Sequence, residues 1–138
     1  MVDTRFAVSV HILTSLACAK GERVTSPELA ESVRTNPIVV RRLVARLVEK
    51  GLVTSYRGKA GGLSLARPAE TITLRDVYLA ATEKRLLAVS DKPSKKSCPV
   101  SCAMKEILGA VVDGMEEASL AFLEKTRLSD LAARVPRR

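Results

Sequence analysis

A mainly α-helical fold with a small β-hairpin wing, a winged helix-turn-helix followed by a long C-terminal dimerisation helix, is what this chain predicts. Three observations carry it. Two capped amphipathic segments, of roughly eight and thirteen residues, are separated by a turn of three or four residues. The hydrophobic period changes from helical to alternating around a glycine-rich hexapeptide. A heptad-like apolar stripe then fills much of the last third. The length of 138 residues suits one ordinary domain. With 46% apolar but only 3% aromatic residues and no Trp, its core must be aliphatic.

From Arg5 to Ala19, Phe6, Val10, Leu13 and Ala17 recur at helical spacing together with Val8, Ile12 and Leu16, which predicts a deeply buried first helix. Lys20-Gly21-Glu22 ends it. Thr25-Ser26-Pro27-Glu28 offers either a capping box from Thr25 to Glu28 or a Ser26 cap with Pro27 in the first turn, opening a short helix to about Val33. After Arg34-Thr35, Asn36 caps a third helix that starts at Pro37 and is stopped by Gly51. Leu52–Tyr56 and Leu63–Ala66 read as strands flanking the turn Arg57 to Gly62, the wing. Thr73 caps a fourth helix ending near Thr82, and a basic loop spans 84–98. From Pro99, the residues Val100, Met104, Ile107, Val111, Met115, Ala118 and Phe122 form the stripe of a long helix, and Leu128 to Val135 a short terminal one. A helix of about 26 residues is roughly 39 Å long. That exceeds what so small a domain needs, so Val100, Met104, Ile107, Val111, Met115 and Phe122 are assigned to dimerisation. The corresponding divisions are 1–83 for DNA binding, 84–98 for the loop and 99–138 for the dimerisation and terminal helices.

The formal charge is +8, which points to an anionic partner. Between Ser26 and Arg67, eight basic residues face three acidic ones, so this region holds most of the excess. There is one histidine, His11, and no nucleophile elbow, zinc-protease motif or phosphate loop, so an enzyme is not expected. No run of about 18 apolar residues occurs, and the opening residues lack a signal-peptide pattern, so a cytoplasmic protein with no membrane partner is expected.

At 100° per residue, the third helix turns Val40, Leu43, Val44 and Leu47 to one side. Ile38, Arg42, Ala45, Arg46 and Glu49 fall on the other, flanked by Val39 and Arg41. Arginines there can reach guanine edges or phosphates, and Ile38 and Val39 can touch thymine methyls. Thr35 and Asn36 stand where helix-cap groups meet phosphate. In the wing, Arg57 is placed for a minor groove and Lys59 for a backbone phosphate. The competing reading is a winged-helix protein-interaction module whose basic face is merely solvated.

The segments Glu28-Leu29-Ala30-Glu31-Ser32, Thr35-Asn36-Pro37 through Leu43, Gly51-Leu52-Val53, Arg57-Gly58-x-x-Gly61-Gly62-x-x-Leu65-Ala66-Arg67-Pro68 and Ile72-Thr73-Leu74-x-Asp76-Val77 resemble the Rrf-type bacterial winged-helix regulators. That family includes the iron–sulfur regulator IscR and the nitric-oxide-sensing repressor NsrR. The Asn36-Pro37 start and Cys98-Pro99-Val100 resemble its YwnA-like branch. The resemblance implies a homodimer that binds a palindromic double-stranded DNA operator and represses transcription. It also matches Arg57 to the family's minor-groove arginine, and Thr35 to Arg46 to its major-groove reader. The glycine common before the recognition helix is missing, so Arg34 or Thr35 must take the bend.

Cluster-binding members of that family carry three cysteines near the start of the long helix, whereas this chain has only Cys98 and Cys102 there. Three readings stand side by side. Cys98, at the helix N-terminus beside Lys92, Lys95 and Lys96, is a redox-sensing thiol that Cys102 resolves. Alternatively, both thiols only pack. In the third reading, the two thiolates hold an iron–sulfur cluster completed by His11 and a carboxylate. No cofactor and no other metal site is expected. Cys18 is read as a small buried hydrophobe, and His11 as a core or interface histidine.

Overall fold

The computed structural model describes residues 3–82 and 92–136. The element order is α1 (Arg5–Cys18), α2 (Ser26–Val33), α3 (Pro37–Glu49), β1 (Val53–Tyr56), β2 (Gly62–Leu65), α4 (Leu74–Ala81), α5 (Pro99–Glu124) and α6 (Leu128–Ala133), with a 3-10 turn at Ala69–Thr71 before α4. Each helix of the sequence reading is present, as are both strands; the 3-10 turn was not foreseen. Of the loop assigned to 84–98, only 92–98 falls within the described residues, where it forms bends and turns. Arg137 and Arg138 of the basic end lie outside them.

The chain forms two compact units. One comprises the described residues up to 82 together with 123–136, and the other 92–122. In the first, Ile12, Leu13 and Leu16 of α1, Leu29 of α2, Val40, Leu43 and Leu47 of α3, Leu52, Leu63, Val77 and Leu128 form one aliphatic core. Phe6 and Tyr78 meet edge to face at its margin, with ring centroids 5.9 Å apart. The α6 segment closes the unit: the Leu74 amide donates to the Thr126 carbonyl at 2.9 Å and the Leu128 amide to that of Ile72 at 2.8 Å.

Two expectations about α1 are corrected. Cys18 is exposed rather than buried. For His11 only the core alternative is corrected, since its side chain is exposed in the single chain, with Nε2 lying 2.9 Å from the Ser32 hydroxyl of α2. The buried arc of α1 instead runs through Ser9, Ile12, Leu13 and Leu16. A helix apolar on nearly every side does not reveal from its sequence which arc turns inward.

The second unit contains α5 apart from its last two residues. This helix has 26 residues, of which Val112 is the buried one. Val100, Ile107, Leu108, Val111, Met115 and Phe122 are exposed, and Met104 is half-buried. Among the described residues, no helix is long and apolar enough to cross a membrane.

Candidate nucleic-acid interface

The helix-turn-helix is set by its caps. The Thr25 hydroxyl accepts from the Glu28 amide while the Glu28 carboxylate accepts from the Thr25 amide, a reciprocal box that fixes where α2 begins. At its other end Arg34 adopts the left-handed conformation, φ 62° and ψ 47°. The amides of Arg34 and Thr35 both donate to the Ala30 carbonyl, at 2.8 and 3.2 Å. The bend thus falls on Arg34, the first of the two residues left to take it. Two residues later the Asn36 side chain accepts from the Ile38 amide at 2.8 Å, and Pro37 supplies a preset φ for the first turn of α3.

Burial in α3 follows the helical phase. Val40, Leu43, Val44 and Leu47 are buried, whereas Ile38, Val39, Arg41, Arg42, Ala45 and Glu49 are exposed. Ile38 is 56% exposed at the start of the helix, beside exposed Val39. Arg41 and Arg42 have no ion-pair partner among the described residues. Arg46 differs, being half-buried with its Nε donating to the Ala80 carbonyl of α4 at 3.2 Å. Thr35 is half-buried and Asn36 exposed.

The wing lies in the same unit. β1 and β2 pair antiparallel, Val53 with Leu65 through Tyr56 with Gly62, and Val24 extends the ladder on the far side of Leu63. Arg57 and Lys59 are exposed in the turn, again without an ion-pair partner among the described residues. The turn demands glycine at position 61, where a Cβ would come within 2.7 Å of the carbonyl oxygens of both Gly58 and Tyr56. Arg23 was missed from the sequence. Its guanidinium lies 3.6 Å from the centroid of the Tyr56 ring, and one of its nitrogens donates to the Ala60 carbonyl. A basic residue in a polar linker carries no periodic signal that could have marked it.

In the second unit, Cys98 and Cys102 span the first turn of α5, the Cys102 amide donating to the Cys98 carbonyl at 3.1 Å. Cys98 is half-buried and opens into a hollow lined by Lys92, Ser94, Ser101, Met104 and Lys105. The Cys102 thiol is exposed and lies 3.5 Å from the Lys95 carbonyl and 3.7 Å from that of Lys96. An iron–sulfur cluster needs about four protein ligands. Among the described residues no group of three or more His, Cys, Asp or Glu side chains gathers to hold a metal ion.

Comparison with known proteins supplies context. The family model Rrf2, described as an iron-dependent transcriptional regulator, matches residues 2–134. YwnA of Bacillus subtilis is 33% identical over 132 residues, covering 95% of this chain and 96% of that protein. The HTH-type transcriptional regulator IscR of Cereibacter sphaeroides is 28% identical over 130 residues, covering 92% and 82%. Among solved structures, the oxidized form of CymR from Staphylococcus aureus aligns with a TM-score of 0.68 at 26% identity, covering 99% of each chain. A regulator structure from Lactobacillus plantarum aligns with a TM-score of 0.79 at 26% identity, covering 94% of this chain and 88% of that one.

Proposed function

Since this chain belongs to the Rrf2 family of transcriptional regulators, we propose that it acts as a homodimeric repressor on a two-fold symmetric operator, in the cytoplasm with the DNA it reads. The observation that carries the reading is the outer face of α3. There Arg41 and Arg42, with exposed Ile38 and Val39, stand on a helix whose opposite side is core, and the same unit presents Arg57 and Lys59 on a wing. Arg41 and Arg42 contact base edges or phosphates in the major groove, Ile38 and Val39 meet thymine methyls, and Arg57 enters the adjacent minor groove. Lys59, Thr35 and Asn36 contribute backbone contacts. Arg46, tied to Ala80, holds the reading helix more than it reads. The apolar row of α5, Val100, Met104, Ile107, Val111, Met115 and Phe122, pairs with its copy, so that two reading helices meet the two half-sites.

Cys98 and Cys102 serve as the signal input. A hydroperoxide oxidises the Cys98 thiolate to a sulfenic acid and is itself reduced to an alcohol or water. The Cys102 thiol then attacks that sulfur, forming the disulfide and releasing water. Four residues of helix rise about 6 Å, which is compatible with the Cα separation of a disulfide, about 7 Å at most. Both Cα–Cβ bonds lean toward the helix N-terminus rather than toward each other, so the bond requires the first turn of α5 to open. Oxidation is thereby coupled to the helix on which the dimer rests.

Fluorescence anisotropy with the gene's own upstream DNA tests both parts. Reduced protein should bind with a steep salt dependence, weakened by Arg42→Ala and by Arg57→Ala. A mild thiol oxidant should release the DNA from wild type but not from Cys98→Ser. Salt-insensitive, sequence-indifferent binding would leave a protein-interaction module instead, and tight binding indifferent to oxidation would return the cysteines to packing.

A further inference from the structure

The wing is a hairpin of two four-residue strands, a size that is not stable by itself. The linker between α1 and α2 supports it. The Val24 amide donates to the Leu63 carbonyl at 3.0 Å and the Leu63 amide to that of Val24 at 2.8 Å, so the residue beside Arg23 is fixed to β2. From that anchor the Arg23 side chain reaches both sides of the turn. Its guanidinium lies over the face of Tyr56, the last residue of β1, and donates to the carbonyl of Ala60 on the returning limb. Gly62 permits the approach, since a Cβ there would meet the Arg23 Cβ at 3.0 Å and the Val24 carbonyl oxygen at 3.2 Å. Arg57 and Lys59 lie between the two points that Arg23 holds.

We propose that Arg23 is the positioning residue of the wing: by stacking on Tyr56 and bonding the Ala60 carbonyl, it holds the turn in the one conformation that carries Arg57 into the minor groove. The inference rests on the DNA-binding reading above. The planar guanidinium is essential to it, because stacking on the ring and donating in the plane at the same time need a flat, forked cation that an ammonium does not provide. Arg23 thus contributes to affinity through Arg57 rather than through a phosphate of its own.

The test has two arms, both on full-length protein whose melting temperature is checked against wild type. In the first, without DNA, 15N relaxation follows the amides of the wing turn, residues 57–61, and the Tyr56 ring signals, which are well resolved in a chain with two Tyr, two Phe and no Trp. Arg23→Ala and Arg23→Lys should both make the turn mobile on the ps–ns scale and shift the Tyr56 ring, leaving the α3 amides unchanged. In the second, anisotropy measures operator affinity for Arg23→Ala, Arg23→Lys, Arg57→Ala, Arg42→Ala and their pairs. Arg23→Ala should weaken binding roughly tenfold, the size of effect seen between coupled neighbours, and Arg23→Lys should do nearly as much. Arg57→Ala should cost much less in the Arg23→Ala background than in wild type, whereas Arg42→Ala should cost the same in both. A wing as ordered as wild type in Arg23→Ala overturns the proposal. So does an additive Arg23–Arg57 pair or full rescue by Arg23→Lys, either of which would make Arg23 a simple phosphate contact. Wild type that binds no upstream DNA would instead overturn the DNA-binding reading, leaving the relaxation arm to decide whether Arg23 orders the wing.

Discussion

The Nε of Arg46 donates to the carbonyl oxygen of Ala80 at 3.2 Å, linking α3 to the end of α4. Ala80 is the penultimate residue of α4, so this carbonyl is one of the four that a helix leaves without an internal partner. A guanidinium there satisfies it and also meets the negative end of the helix dipole. Two arginines on one helix therefore do different work. Arg46→Ala should cost about 1 kcal/mol of stability, the usual net worth of such a hydrogen bond. It should lower the melting midpoint by a few degrees. Arg42→Ala, exposed and without an ion-pair partner among the described residues, should leave the midpoint unchanged. It should instead reduce the slope of log affinity against log salt by about 0.9 if it meets a phosphate. Thermal denaturation and salt titration of the two variants distinguish the roles.

Arg34 closes α2 at φ 62°, where a Cβ crowds the following carbonyl and costs roughly 1–2 kcal/mol. Glycine removes that strain but leaves a more flexible unfolded chain, which returns part of the gain. Arg34→Gly should therefore raise stability by about 0.5–1 kcal/mol, while Arg34→Ala leaves it near wild type and Arg34→Val lowers it. Denaturant unfolding of the three variants checks the order. Arg34→Gly also removes a cation beside the recognition helix, so its DNA affinity should fall even as its stability rises.

Gly61→Ala attacks the wing without touching the core. The new Cβ would sit 2.7 Å from two carbonyl oxygens, closer than real contacts allow, so the turn must rearrange. Because the hairpin is short and its tip exposed, the rearrangement should stay local, leaving helical circular dichroism and melting temperature close to wild type. Operator affinity should fall at least as far as in Arg57→Ala, since both Arg57 and Lys59 are displaced.

The caps and the helical phase made most of this architecture legible in the sequence. Thr25 with Glu28, and Asn36 with Pro37, act within four residues of chain, so their chemistry is written locally, and the alternation of α3 placed Val40, Leu43, Val44 and Leu47 inward without ambiguity. What escaped was tertiary. Arg23 reaches Ala60 across 37 residues and Arg46 reaches Ala80 across 34, and no local pattern distinguishes such a cation from a solvated one. In α1 the difficulty was different. Apolar residues on almost every side left the inward arc undetermined, and the arc that won buries Ser9 while exposing His11 and Cys18.

The row along α5 makes the sharpest test of assembly. Ile107 and Val111 are more than half exposed in the single chain, at 53% and 55%, whereas their neighbour Val112 is 7% exposed. A β-branched aliphatic surface of that kind stabilises nothing in the monomer and suits a second copy. Val111→Glu should therefore leave the fold of one chain intact, because the carboxylate remains in water. In the proposed dimer it would bury like charges from the two copies, at a cost of several kcal/mol. Sedimentation equilibrium should show wild type as a dimer and Val111→Glu as a monomer that binds operator far more weakly. Val112→Ala should do the reverse, lowering the melting temperature without making the protein dissociate. A Val111→Glu protein that stays dimeric would move the interface off this face of α5.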